Sequence, residues 1–242
     1  RRLSTGCIAA GGTLAFLIPP SIPFILYGVL AETSVAKLFI AGIIPGVVLA
    51  AFFLITIYVM CKRNPKLGPP GPSFTWRERF VSVKGIWGMV VLFVLVIGGL
   101  YFGIFTPNEA GAIGAFGAFL ICCIRRRQNL SEMIGIVIMA GKDTAKITAS
   151  ILMLIIGAMI FNSFLGVSGI TGAFKEWING LQMSPYVFLT WIVVIYFLLG
   201  MVMDIVAILL LTIPTLAPVM VNYGFDIVWV GVLLTLLTQI GY

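Results

Sequence analysis

Asp204 is the acidic residue best placed for chemistry, because it stands deep inside an apolar run, residues 186–221. At the centre of a membrane-spanning helix a carboxylate costs about 2.5–3.5 kcal/mol to insert, so it needs a partner or a water-filled cavity. Gly200, Met201 and Met203 precede it and interrupt the run. Two compatible interpretations stay open: Asp204 lies near a cation or substrate site at a hairpin tip, or it caps the following helix.

The prolines at positions 19 and 20 interrupt another apolar stretch, residues 3–30. Consecutive prolines remove backbone donors and clash with the preceding turn, so the helix should open there. An opened backbone at membrane depth is tolerated only where protein or a water-filled cavity satisfies it. Its carbonyl groups and the hydroxyls of Thr13 and Ser21 are hard oxygen donors that suit Na⁺. The alternative is a proline kink that serves packing alone.

Glu109 follows Thr106 and Pro107 in a third interruption. A helix that begins at a proline favours an acidic residue in its first turn, where free N–H groups and the helix dipole stabilise the charge. Glu109 is therefore either a helix cap or a direct participant in binding. Thr212, before Pro214, adds a hydroxyl group inside the run that holds Asp204.

The composition indicates that lipid is the solvent of this chain. Of its 242 residues 61% are hydrophobic and 10% are charged, and the mean hydropathy is +1.16. A soluble domain carries about a quarter charged residues, and a membrane-spanning helix takes about 20 apolar residues. Apolar runs of that length recur along the sequence, so we predict an all-α, multi-spanning membrane protein in contact with the lipid bilayer.

The basic residues argue for membrane topology and against nucleic-acid binding. The net charge is +7, and 13 of the 15 Lys and Arg lie at positions 1–2, 62–84 and 125–146, a bias typical of cytoplasmic loops. The chain has no histidine, which excludes His-activated nucleophiles and His metal sites. Its four cysteines lack the spacing of metal ligands. We expect no cofactor and no nucleic-acid partner.

The elements that position the candidate residues follow from the apolar runs. We predict a broken first helix over 3–30, a span over about 38–61, two crossings within 85–124 that turn near 105–109, and a span over about 147–165. Between them lies a basic, Pro/Gly-rich linker, residues 62–84, extended through Pro69, Pro70 and Pro72 and ending in an interfacial helix. Residues 170–181 show the apolar face of a second interfacial helix.

Residues 186–221 form either two short crossings or one re-entrant hairpin. With Arg1 and Arg2 inside, the count of crossings places residues 166–185 outside. If 186–221 is re-entrant, the final stretch from residue 227 runs inward, opposite to the first stretch, as in inverted repeats. We therefore divide the chain into residues 1–61 of a first repeat, the cytoplasmic linker 62–84, and residues 85–242 of a second repeat.

Four sequence blocks carry a family resemblance. They are GTLAFLIPPSI at residues 12–22, LFIAGIIPG at 38–46, GIFTPNEA at 103–110 and GMVMD at 200–204. Together, and in this order, they resemble the large membrane subunit of TRAP transporters, the DctM-like family, over nearly the whole chain. Ala15 replaces a usual Gly and Asn108 a usual Thr.

The resemblance implies an elevator-type, Na⁺-coupled importer of organic acids such as C4-dicarboxylates or sialic acid, in the bacterial inner membrane. It also implies two partners, a small TRAP membrane subunit and a periplasmic substrate-binding protein. The candidates for ion or substrate binding are Gly12, Thr13, Pro19, Pro20, Ser21, Thr106, Glu109, Gly200, Met201, Met203, Asp204 and Thr212. Of these, the Na⁺ candidates are Thr13, Ser21, Gly200 and Asp204.

Three alternatives were weighed against this function. Another inverted-repeat carrier, such as a citrate or anion symporter, would share the broken helices but need no binding protein. An intramembrane hydrolase would need Glu109 and Asp204 in contact, whereas the predicted topology puts them at different depths. In a structural membrane subunit, changes at the breaks would alter assembly but leave the substrate flux per assembled complex intact. Because the chain begins without Met and stops inside an apolar run, we expect a fragment of a longer protein. The resemblance implies that the family's first hairpin tip and its second proline-containing break lie outside this chain, so we expect that the fragment cannot transport alone.

Overall fold

The computed structural model describes residues 2–68, 75–83, 85–125, 130–181 and 183–241. These ranges contain helices and turns and no β-strand. The helices are α1 (Arg2–Thr13), followed by a 3₁₀ turn (Leu14–Phe16), α2 (Ile22–Leu30), α3 (Val35–Arg63), α4 (Trp76–Val83), α5 (Trp87–Tyr101), α6 (Pro107–Arg125), α7 (Leu130–Val167), α8 (Ile170–Gly180), α9 (Pro185–Gly200), α10 (Ile205–Asn222) and α11 (Ile227–Gly241).

The predicted all-α membrane fold is confirmed. Four stretches among the described residues are long and apolar enough to cross a bilayer, namely Val35–Arg63, Pro107–Arg125, Met133–Val167 and Ile205–Asn222. Leu3–Phe16, Trp87–Tyr101, Pro185–Gly200 and Ile227–Ile240 are shorter apolar helices. Most of their large apolar side chains are exposed on this chain, as expected of surfaces that meet lipid or other membrane helices.

Most predicted helix positions agree with the structure, and one prediction was wrong in length. The first stretch breaks between the 3₁₀ turn and α2, and residues 85–124 form two helices with a turn before Pro107. The span predicted at about 147–165 is instead the C-terminal half of α7, which has 38 residues. Lys142, Asp143 and Lys146 are exposed on that helix, because charged side chains at its surface do not interrupt backbone hydrogen bonding.

The structure describes the predicted linker, residues 62–84, in part. Its predicted extended prolines, Pro69, Pro70 and Pro72, lie outside the described residues. The predicted second part of the linker is helix α4. Thr75 and Glu78 start it as a capping box: the Thr75 N–H donates to Glu78 Oε2 over 2.7 Å, and the Glu78 N–H donates to Thr75 Oγ1. The N–H and the hydroxyl of Thr75, which both donate to Glu78 Oε2, lower the pKa of the Glu78 carboxyl group.

The chain divides into two compact units, and each is described by itself. The first comprises Arg1–Ile8 and Ala51–Ala145. In it α5 and α6 pack as an antiparallel pair in which side chains of one helix fill glycine positions of the other. Ile121 lies against Gly88, Leu92 against Gly117 and Val96 against Gly114. Such close approach of helices at small residues is typical of membrane proteins.

The second unit comprises Ala9–Ala50 and Lys146–Tyr242. Its core lies among α2, α9, α10 and α11, and α10 alone contributes nine buried residues. Tyr27 of α2 is fully buried, and its hydroxyl donates to the Ile227 carbonyl at the start of α11 over 2.8 Å. The assignment of residues 1–61 and 85–242 to inverted repeats stays a prediction.

Candidate functional site

Residues 17–21, here called the broken segment, connect the 3₁₀ turn to α2 without helical structure. The prolines at 19, 20 and 23 have no backbone N–H group, so neither the preceding helix nor α2 can be continued through this stretch by hydrogen bonds. The peptide bond between Pro19 and Pro20 is cis. Leu17 and Pro19 are buried, whereas Pro20 is exposed.

The hydroxyl groups predicted as Na⁺ ligands both make local hydrogen bonds. Ser21 is fully buried and is the N-cap of α2, where its oxygen accepts from the Phe24 N–H over 3.4 Å. The same hydroxyl donates to the Phe16 carbonyl. The Thr13 hydroxyl donates to the Ala10 carbonyl over 2.9 Å, and Gly12 beside it is exposed. Each hydroxyl proton is therefore used, which leaves the oxygen lone pairs as the groups available to a ligand.

Four of the five backbone oxygens of the broken segment have no donor among the described residues. No hydrogen bond found among the described residues ends on the carbonyl oxygens of Leu17, Ile18, Pro19 or Pro20. A carbonyl group removed from water normally has a partner. The segment is thus rich in acceptors and poor in donors, an arrangement that attracts a cation or a hydrogen-bond donor.

Helix α3 supports the broken segment through two glycines. A Cβ on Gly42 would run into the ring of Phe24 and would lie 3.1 Å from the Leu17 carbonyl oxygen. A Cβ on Gly46 would lie 3.1 Å from Cγ1 of Ile18. Both glycines belong to the LFIAGIIPG block, so this block brings α3 close enough to hold the opened backbone.

The second interruption is the turn over residues 201–204, between α9 and α10, here called the hairpin turn. Asp204 is the N-cap of α10, and its Oδ2 accepts from the Val206 N–H over 3.0 Å. The carboxylate is exposed on this chain. Gly200 is buried at the end of α9, Met201 is 67% exposed, and Met203 lines an apolar cavity of about 660 Å³ among α8, α9 and α10. The capping interpretation of Asp204 is confirmed, and its role in binding stays a prediction.

Thr212 joins the two arms of the hairpin. Its hydroxyl donates to the Ile208 carbonyl over 2.7 Å and accepts from the Tyr196 hydroxyl over 2.5 Å. The assignment of the donor follows because the single proton of Thr212 is already used. Thr212 thus has a structural role between α9 and α10, and its predicted role as an ion or substrate ligand is untested.

Thr106 and Glu109 form a capping box at the start of α6. The Thr106 N–H donates to Glu109 Oε2 over 2.8 Å, and the Glu109 N–H donates to Thr106 Oγ1 over 3.3 Å. Both residues belong to the first unit, and the Glu109 side chain is exposed on this chain. The structure therefore accounts for Glu109 as a helix cap.

Sequence reasoning missed a set of buried polar residues on α11. Thr235 and Thr238 are fully buried, and Gln239 is 5% exposed. Their signal was present in the sequence as three polar residues at positions i, i+3 and i+4 of an apolar run, which places them on one helix face. Among the described residues no group of three His, Cys, Asp or Glu could hold a metal ion, so a cation site here would consist mainly of neutral oxygens.

The two breaks in apolar helices and the motifs around them agree with one family. The family model described as "Tripartite ATP-independent periplasmic transporter, DctM component" matches residues 1–242. The chain belongs to the DctM family. The resemblance found in the four sequence blocks is thereby confirmed over the whole chain.

Curated relatives of this DctM chain are permease proteins of several bacteria. The C4-dicarboxylate TRAP transporter large permease protein DctM of Pseudomonas aeruginosa is 35% identical over 98% of this chain and 54% of the relative. The ectoine TRAP transporter large permease protein TeaC of Halomonas elongata is 34% identical over 98% and 55%. The sialic acid TRAP transporter large permease protein SiaM of Vibrio cholerae is 31% identical over 98% and 54%.

This DctM chain spans about half the length of the curated relatives that it matches. All three are named as transporter permeases, so the family is one of multi-pass membrane transporters and not of enzymes. The relatives' names give the aspartyl-pair hydrolase no support, and Glu109 and Asp204 are each accounted for as the cap of a helix.

Proposed function

We propose that this chain is part of the large permease subunit of a tripartite secondary transporter that imports organic acids across the bacterial inner membrane. Uptake is coupled to Na⁺. A periplasmic substrate-binding protein delivers the solute, and a small TRAP membrane subunit completes the membrane complex.

The observation that carries this proposal is the opened backbone of the broken segment. The carbonyl oxygens of Leu17, Ile18 and Pro19 have no donor in the described part of this apolar chain, and an interrupted helix at membrane depth needs a polar guest or a water-filled cavity. Half-helices that end at the bilayer midplane are the usual ion and substrate sites of inverted-repeat transporters. The N-terminus of α10, capped by Asp204, is a second such half-helix end.

The solute class is argued from charge and from the relatives' names. Three curated relatives are named for C4-dicarboxylate, sialic acid and ectoine. The sequence of the second unit contains three basic residues, Lys37, Lys146 and Lys175, and all three are exposed or half-buried. An organic acid would therefore be held by hydrogen-bond donors and helix N-termini, with Na⁺ offsetting part of its charge. We propose C4-dicarboxylate-type or sialic-acid-type solutes on these grounds.

The transport movement is proposed to be of the elevator type. In this mechanism the second unit, which holds the broken segment and the hairpin turn, would move as one body across the membrane. Its buried core among α2, α9, α10 and α11 supports this proposal, because a tightly packed unit can move without exchanging its internal contacts.

The experiment is reconstitution of the full-length subunit that contains this sequence, with its small membrane subunit, into proteoliposomes. Uptake of labelled succinate and of labelled sialic acid is measured with and without an inward Na⁺ gradient and with and without the binding protein. We expect uptake of one solute class that requires both. Uptake that persists without the binding protein would favour another inverted-repeat carrier, such as a citrate symporter. Uptake that is unchanged when K⁺ replaces Na⁺ would contradict the coupling.

A further inference from the structure

Helix α11 carries an unusual polar face for a helix in an apolar core. Thr235, Thr238 and Gln239 occupy one side of it, since residues three and four positions apart lie above one another on a helix. Thr235 and Thr238 are fully buried and Gln239 is 5% exposed, while the neighbouring Leu234 and Leu237 are buried as ordinary core residues. The three polar side chains are therefore enclosed within the second unit.

Two of the three side chains have no hydrogen-bond partner. The Thr238 hydroxyl donates to the Thr235 carbonyl over 2.8 Å, so its proton is satisfied within the helix. In contrast, Thr235 Oγ1 and both amide atoms of Gln239 are buried and make no hydrogen bond with any described residue. Buried polar side chains are normally paired with protein or ordered water, so these atoms point to a small guest.

Contacts with α3 fix the depth of this polar face. A Cβ on Gly231 would lie 2.7 Å from Leu38 of α3. Ile227, at the start of α11, lines a cavity with Leu30, Ala31 and Glu32, where α2 is connected to α3. Four residues later Gly231 lies against Tyr27 and Leu38, which are further from that connection on both helices. Helix α11 therefore runs in the same direction as α3. Residue 235 lies about 6 Å beyond Gly231 along its helix, alongside residues 42–46 of α3.

The same stretch of α3 holds the broken segment. Gly42 lies against the Leu17 carbonyl, and Gly46 lies against Ile18. Thr235 and Gln239 are thus placed at the level at which the backbone carbonyls of the broken segment lack donors. Two sets of unpaired oxygens, one from backbone and one from side chains, share this level of the second unit.

The chemistry of these groups favours a cation over an anion. Most unpaired groups at this level are acceptors, namely carbonyl, hydroxyl and amide oxygens, and the donors without a partner in the described chain are the Thr235 hydroxyl and the Gln239 amide nitrogen. Lys37, Lys146 and Lys175 lie at more exposed positions. Neutral oxygens without a nearby positive charge suit a hard cation of low charge.

We propose that Thr235 and Gln239 supply side-chain oxygen ligands to a monovalent cation bound beside the broken segment. The proposal rests on the proposed function in one respect, because the cation is taken to be the coupling ion Na⁺. From the sequence motifs, Na⁺ ligands were predicted within residues 12–21 and 200–204. The present proposal adds two ligands from α11.

The test uses the purified full-length large subunit with its small membrane subunit, and it measures the melting temperature as NaCl replaces KCl at constant ionic strength. Binding to the folded state raises the melting temperature. Thr235→Val and Gln239→Met remove an unpaired oxygen at nearly constant volume. Thr238→Val is the matched control, because its hydroxyl is as deeply buried and lies on the same helix but is already satisfied.

We expect the half-saturating Na⁺ concentration to rise roughly tenfold or more in Thr235→Val and in Gln239→Met, since a ligand to a charged guest is lost. Thr238→Val should respond to Na⁺ as the parent does. Variants that melt at a higher temperature without Na⁺ and respond to Na⁺ as the parent does would overturn the inference. The unpaired polar atoms of Thr235 and Gln239 would then only cost stability and would bind no ion. If Gln239→Met does not fold, Thr235→Val decides.

The same experiment distinguishes failure of this inference from failure of the proposed transport function. Na⁺-driven uptake by the parent with an unchanged Na⁺ response in both variants would overturn this inference and leave the transport function intact. A parent that shows neither a Na⁺-dependent melting temperature nor Na⁺-dependent uptake would overturn both the coupling and the site. A loss of the Na⁺ response in Thr238→Val as large as in the other two variants would overturn the proposed ligands, since the effect would then reflect a general disturbance of α11.

Discussion

Tyr196 donates a hydrogen bond of 2.5 Å to the Thr212 hydroxyl, and these two residues lie eight positions before and eight positions after Asp204. The bond therefore joins α9 and α10 at equal distances from the hairpin turn. Thr212 also donates to the Ile208 carbonyl, whereas no second partner of the Tyr196 hydroxyl is found among the described residues. The two ends of the bond are consequently not equivalent.

Tyr196→Phe and Thr212→Val should destabilise the protein to different extents. In Tyr196→Phe the Thr212 hydroxyl keeps its bond to Ile208, so we expect a loss of about 0.6 kcal/mol, the average for an interhelical bond in a membrane protein. In Thr212→Val the fully buried Tyr196 hydroxyl is left unpaired, which costs about 1–3 kcal/mol. Melting temperatures of the two variants in detergent, compared with the parent, measure the difference. Equal shifts would contradict the proposed donor assignment.

Asp204→Asn separates the cap of α10 from the charge. Asparagine caps a helix as well as aspartate does, so Asp204→Asn should preserve the bond to the Val206 N–H and the melting temperature. If the carboxylate contributes to cation binding, the half-saturating Na⁺ concentration for uptake rises roughly tenfold in this variant.

Asp204→Ala is the companion variant, because it removes cap and charge together. We expect it to lose about 1 kcal/mol of stability in addition to the weaker response to Na⁺. Normal Na⁺ dependence in Asp204→Asn combined with a defect in Asp204→Ala would assign the residue to capping alone. Uptake is normalised to the amount of assembled complex in both cases.

The breaks in the helices were predictable because proline acts locally. Pro19 and Pro20 remove backbone donors wherever they stand, and the structure opens there, whereas Pro23 lies in the first turn of α2. The turn before α6 was predicted from the length of the apolar segment 85–124 between two basic loops. The full length of α7 was not predictable from hydropathy, since Lys142 and Asp143 resemble a loop in an apolar sequence but remain compatible with a helix.

The candidate site was predictable only in part, because the type of a residue does not reveal which hydrogen-bond partners it finds in the folded protein. Asp204 and Glu109 were correctly weighed as caps, and the structure shows the capping bonds. The orphan state of Gln239 could not be read from sequence, since it depends on which neighbours surround α11 after folding. Buried polar residues in an apolar helix are nevertheless a signal that a site search should include.

Glu109 is expected to act through the capping box of α6. Glutamine also fits this motif, so Glu109→Gln should keep nearly all of the stability and the uptake of the parent. Thr106→Ala removes the other half of the box and should cost about 1 kcal/mol. Melting temperature and uptake per assembled complex are measured for both. A stable Glu109→Gln variant that loses uptake would instead give the carboxylate a direct role in transport.

Adjacent glycines on α5 provide a test of the packing of the first unit. A Cβ on Gly99 would run into the ring of Phe105, whereas a Cβ on Gly98 would meet no atom within 4 Å. Gly99→Ala should therefore destabilise the protein by about 1–3 kcal/mol through overpacking. Gly98→Ala is its matched control and should be neutral or stabilise the helix by about 0.5–1 kcal/mol, since alanine has the higher helix propensity. Melting temperatures in detergent compare the two variants. If Gly99→Ala is as stable as Gly98→Ala, the Phe105 ring can move away from position 99 without loss of stability. The close packing of the turn before α6 would then contribute little to the stability of the protein.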